Sequence, residues 1–157
     1  MTANKWQTIS TDEADRLLGL NSHERNALVR AGEQCSLDPQ AVMVEAINDA
    51  CSFIRGMLGN NLALRDDLKN TTDYAIPQSL KRLAYPLIIQ ALYIRYQLNL
   101  TDTRQKAVDW ANEELEKYAN GQRLPEKADG SPPADPAYMR PRFTKRPWFN
   151  PMRSIYR

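Results

Sequence analysis

Six cationic side chains, Arg140, Arg142, Lys145, Arg146, Arg153 and Arg157, are interleaved with five rings, Tyr138, Phe143, Trp148, Phe149 and Tyr156, over the last twenty residues of the chain. Two chemistries use that combination. Cations neutralise phosphates while rings stack on unpaired bases, which is nucleic-acid binding. The same groups on an extended strap fill a protein groove, which is docking on a partner. Pro141, Pro147 and Pro151 fix backbone angles and remove amide donors, so the segment is neither a continuous helix nor a central strand. A strap held extended loses less entropy on docking, and this favours the protein partner. The segment has no acidic residue and carries +6; the whole chain carries +2, so residues 1–137 carry −4. The positive charge is placed at one end rather than spread.

Elsewhere the residues capable of chemistry are few. His23 is the sole histidine, which excludes a metal site resting on two histidines, and between Ser22 and Glu24 it reads as a surface residue near a helix start. Cys35 and Cys51 stand sixteen positions apart with no Cys-x-x-Cys around them. That spacing suits neither a structural zinc site nor a disulfide framework, and with Cys51 on an apolar helical face the reading is of buried free thiols. Asp66, Asp67 and Asp73 cluster without a glycine-rich phosphate loop or a nearby base and read as solvated loop charges. Glu113, Glu114, Glu116 and Lys117 read as an exposed helix face that serves solubility or touches a neighbouring subunit. No nucleophile, base and cofactor loop can be assembled, so the expectation is a protein that is not an enzyme and uses no metal or cofactor.

The elements that must carry the arm are helical. Ser10, Thr11, Asp12 and Glu13 form a capping box ahead of Ala14, Leu17 and Leu18, predicting a short helix that ends near Gly19. Asn21 and Glu24 repeat the signal for a second helix, with Gly32 as its left-handed end. Asp38 and Pro39 open a helix over residues 39–58, in which Met43, Ile47, Ala50, Cys51, Ile54, Met57 and Leu58 recur at helical spacing. Residues 59–76 read as a long connection, able to carry a subunit contact. Pro77 suits a first helical position, and the broad apolar stripe that follows predicts a central helix to Leu98. Pro86 lies inside it, predicting a kink near residues 82–86 or two helices meeting there. Thr101 caps a last helix over residues 102–119, closed by Asn120 and Gly121 and paired antiparallel with its predecessor. Ile47, Cys51, Ile54, Leu83, Leu87, Trp110 and Leu115 are the expected core.

Beyond Gly121 lie seven of the chain's ten prolines. The division expected is short N-terminal helices over 1–37, a helical core over 38–121 and an extended, proline-rich, basic and aromatic arm over 122–157. The fold class is all-α, a small helical bundle with a long loop. At 157 residues, 42% of them hydrophobic, the chain is long enough for one core and needs no second domain. Gln90 and Arg95 interrupt the longest apolar stretch, so no membrane span is expected, and the first ten residues lack the blocks of a signal peptide. The expectation is a cytoplasmic protein.

The wording VEAINDACSFIRGMLGNNLAL, then IPQSLKRLAYPLIIQALYIRYQL, then AVDWANEELEKYANGQ resembles the Mu-like branch of tailed-phage head-tail adaptor proteins, also called connector or head-completion proteins. The resemblance covers about residues 38–121 and the character of the arm, and it rests on pattern rather than on a chemical motif. It implies a helical subunit that assembles into a homo-oligomeric ring, commonly a dodecamer, beneath the portal in the virion neck. The C-terminal segment would reach the portal protein, and the opposite side would receive a tail-proximal stopper or tail terminator. Residues 1–37 and Pro86 depart from the family pattern.

The function expected is therefore a structural virion protein, assembled in the host cytoplasm, whose ring wall lets DNA pass without sequence-specific binding. Its portal-docking arm would consist of the eleven cationic and aromatic residues already named. The alternative is a small helical DNA-binding regulator, with residues 10–19 and 21–31 as a helix-turn-helix and the basic tail gripping phosphates. Against it, the candidate recognition helix offers only His23, Arg25 and Arg30, partly offset by Glu24.

Overall fold

Four side-chain caps set where the main helices begin. Ser10 Oγ accepts from the Glu13 amide at 3.1 Å and opens α1 (Thr11–Leu17). Asn21 and Glu24 close a reciprocal capping box, 2.8 and 2.9 Å, at the start of α2 (Ser22–Cys35). Asp38 accepts from the Gln40 amide with Pro39 as first residue of α3 (Pro39–Gly59). Thr101 accepts from the Arg104 amide to start α6 (Asp102–Ala119). Each cap satisfies an amide that the helix itself leaves unpaired. The computed structural model describes residues 6–129 and 131, and over these the fold is all-α.

α3, α5 (Lys81–Arg95) and α6 pack on one another to form the body. Ile47, Cys51 and Ile54 of α3, Leu83 and Leu87 of α5, and Leu115 of α6 are all buried in one core cluster. The N-terminal segment belongs to the same cluster, through Trp6, Ile9, Ala14, Leu18 and Ala31. A two-residue strand β1 (Trp6–Gln7) pairs antiparallel with β2 (Ile76–Pro77), Trp6 opposite Pro77 and Gln7 opposite Ile76.

Several expected boundaries move, each for a local reason. α2 does not stop at Gly32; it continues to Cys35 and ends at Ser36, whose φ of 53° supplies the left-handed turn. Gly32 instead lies within α2 under the Tyr96 ring, where an added Cβ would sit 3.4 Å from Cε1. Pro77 is not a first helical residue. Its extended backbone ends β2, a 3-10 turn Gln78–Leu80 follows, and α5 begins only at Lys81. Pro86 lies inside α5, which is one element from Lys81 to Arg95 rather than two helices meeting.

The connection after α3 is largely folded. It contains a 3-10 turn Leu62–Leu64 and α4 (Arg65–Asn70), and Arg55 ties it down. The Arg55 guanidinium donates to the carbonyls of Leu68 and Ala75, both at 2.7 Å, and to Thr71 Oγ1 at 3.0 Å. Burial of the guanidinium lowers its pKa, partly countered by Asp73.

At the other end, α6 closes at Asn120, with Gly121 at φ 71°. Residues after Gly121 do not leave the body at once. Trp6 Nε1 donates to the Glu126 carbonyl at 2.8 Å, the Ser79 amide donates to Glu126 Oε1 at 2.8 Å, and Ala128 packs against the core.

Candidate functional site

The ends of helical stripes decide which apolar residues lie on the body's surface. On α3, Phe53 stands beside the buried Ala50 and Ile54 yet is 47% exposed; on α5, Ile94 is 68% exposed beside the buried Tyr93. Between them runs a groove of about 670 Å³, floored by Leu87, Gln90 and Ala91 of α5 and walled by Asp49 and Phe53 of α3 and Asn112 of α6. An apolar surface of this kind, rimmed by charge, has the make-up of a docking site for another chain rather than of a catalytic pocket.

Charge around the groove is organised by Arg95. Its Nη1 donates to Glu45 Oε2 at 2.5 Å and its Nη2 to Asp49 Oδ2, so one cation from α5 holds two carboxylates one turn apart on α3. Both carboxylates remain more than half exposed, so these pairs contribute little to stability, about 1 kcal/mol or less each, and leave the rim negative. Asp109 and Glu116 lie three residues before and four residues after Asn112 on α6, hence on its stripe, and both are exposed. Among the described residues, Arg95 Nε and Asn112 Oδ1 are buried without a hydrogen-bond partner.

A second depression is lined by Leu17 and Leu18, by Arg82, Pro86 and Ile89 from another face of α5, and by Ala107. Trp110 meets that depression only through Arg82. Expected in the core, it is 43% exposed, because two positions of helix turn it about 200° from Asn112 and away from the buried stripe of Val108, Ala111 and Leu115. Its ring meets the Arg82 guanidinium at 5.9 Å instead.

The remaining candidates are dispersed. His23 is exposed in the first turn of α2. Asp66 and Asp67 occupy the first turn of the six-residue α4. Cys51 is buried, and desolvation pushes its thiol up to about 11, but Cys35 is exposed, so only one of the two thiols is buried. Glu114, expected on an exposed face, is buried and bonded to Lys117 and Arg123. No group of three or more potential metal ligands forms among the described residues, and no helix among them is long and apolar enough to cross a membrane.

The docking-arm residues Tyr138, Arg140, Arg142, Phe143, Lys145, Arg146, Trp148, Phe149, Arg153, Tyr156 and Arg157 lie outside the described residues. Sequence reasoning missed the groove. One signal for it was Arg95, a cation inside an otherwise apolar stripe, which has to meet carboxylates from another element.

Comparison of the chain with protein-family models, with curated proteins and with solved structures gives no match.

Proposed function

We propose that this chain is a structural assembly subunit, a head-tail adaptor that forms a ring, joins the portal to tail-proximal proteins and lines the DNA passage. One observation carries most of the weight. A small all-α body leaves apolar surface uncovered, at Phe53 and Ile94 by one groove and at Leu17 by another depression, with Trp110 also exposed, and its last twenty residues carry +6 with five rings. Two different apolar faces on one subunit suit head-to-tail contacts, which close into rings when the rotation allows. The arm adds a further weak contact per copy, and repetition around a ring turns weak contacts into a tight assembly. In this reading the protein acts mechanically, and no covalent bond is made or broken.

The test is co-sedimentation of the full-length chain with rings of the cognate portal, with linear duplex DNA as the parallel load. Trp148→Ala with Phe149→Ala, and Arg142→Ala with Arg146→Ala, probe the arm. A truncation for the same purpose has to end after Ser131, because ending at Gly121 would also remove the bonds of Glu126 to Trp6 and Ser79. Portal binding lost in the arm variants supports the adaptor. Binding to DNA instead of portal, falling steeply with salt, selects the DNA-binding regulator.

A further inference from the structure

We propose that the groove between α3, α5 and α6 is the seat of the chain's own residues 138–157 in the free subunit. Two complementarities point to that occupant. Phe53 and Ile94 stand exposed over an apolar floor and match a segment with five rings. The rim carboxylates of Glu45, Asp49, Asp109 and Glu116, two of them paired with Arg95, match its six cations.

Reach is sufficient. Glu126 is bonded to Ser79 and Ala128 packs on the core, so the chain stays on the body beside the start of α5 until near its last described residue. The groove begins at Leu87 and ends at Arg95, about 10 to 20 Å along that helix. Residues 132–137 span up to about 20 Å when extended. A tether this short gives an effective concentration on the order of millimolar, so the seat fills from within the molecule before a second copy competes. The groove then stores the arm until an assembly partner takes it. This goes beyond the adaptor reading and does not depend on the portal as that partner.

The experiment is hydrogen–deuterium exchange of the full-length chain against a free synthetic peptide of residues 138–157, repeated for Phe53→Ser and for Asp109→Lys. Both changes fall on exposed side chains, and unchanged exchange at Ile54 and Leu115 reports an intact core. Amides of the arm are expected to exchange about tenfold or more slowly than in the peptide, with protection lost in both variants and constant over about a hundredfold dilution. Exchange at the peptide's rate overturns the proposal. Protection that survives both variants places the arm elsewhere, protection that fades on dilution places it on a second copy, and either result also overturns it.

Discussion

Arg104 and Glu24 lie eighty positions apart and meet through two parallel hydrogen bonds, Nε and Nη2 donating to the two carboxylate oxygens at 2.9 Å each. The same guanidinium donates to the carbonyls of Leu18 and Gly19, so one side chain of α6 holds the end of α1 and the start of α2. Glu24 is 8% exposed and also closes the α2 capping box. Removing Arg104 leaves a carboxylate in a poorly solvated place, and Arg104→Ala is expected to cost about 2 to 4 kcal/mol. Arg104→Lys keeps the charge but cannot reproduce the fork, and should recover less than half of that. Urea unfolding of the three proteins checks the order; equal midpoints for wild type and Arg104→Ala would sink it.

The pH dependence follows from the same pair. The hydrogen bond from Arg104 holds the Glu24 carboxyl below its ordinary value of 4.5. A carboxylate with a depressed folded pKa stabilises the fold above its unfolded value and loses that contribution as pH falls through the folded one. Stability should therefore decline below pH 4.5, with a shallower decline in Glu24→Gln. Thermal melts between pH 6 and pH 3, about the span over which such a group titrates, measure both slopes; parallel slopes would rule out this carboxylate as a contributor.

Arg55 reaches three acceptors in the connection between α3 and α5. Arg55→Met keeps much of the stem while stranding the carbonyls of Leu68 and Ala75, and should cost about 1.5 to 3 kcal/mol. The loss is local in character: amides of α4 should exchange faster while those of α5 keep the protection of the core. A uniform rise over all helices would contradict the role assigned to Arg55.

Trp110 and Leu115 give a contrast that residue size alone would invert. Trp110→Ala is expected to change stability by about 1 kcal/mol or less, the worth of an exposed cation–π contact and some partial burial. Leu115, fully buried, should cost about 2 to 4 kcal/mol as Leu115→Ala. A larger loss at Trp110 would place its ring in the core.

The two thiols differ as well. Cys35 is exposed and Cys51 is buried with its pKa raised to about 11 by desolvation. A disulfide reagent at neutral pH should consume one thiol per folded chain rapidly and the second only on unfolding. Two fast thiols would show that Cys51 is reached by solvent.

Much of the body was legible in the sequence because helix starts are local chemistry. Ser10, Asn21, Asp38 and Thr101 announce their helices with side-chain acceptors that bond amides two or three residues on. What was not legible depends on partners distant in the chain. Gly32 has the form of a helix end until Tyr96 packs on it; Pro77 has the form of a helix start until Trp6 pairs with it. Periodicity put Trp110 near the apolar stripe but could not say which edge of that stripe would be covered. The groove escaped for the same reason: Phe53, Ile94 and Asn112 belong to three helices, and no spacing within one helix announces their meeting.

The bond from Trp6 to the Glu126 carbonyl joins residues 120 positions apart. During synthesis this bond cannot form until almost the whole body has been made, so it is among the last contacts to be completed. Closing so long a loop is slow compared with the helix contacts around it. The order of translation and the order of completion therefore run in opposite directions at this end of the protein, and a chain cut short before Glu126 is left with an N-terminus that lacks this anchor.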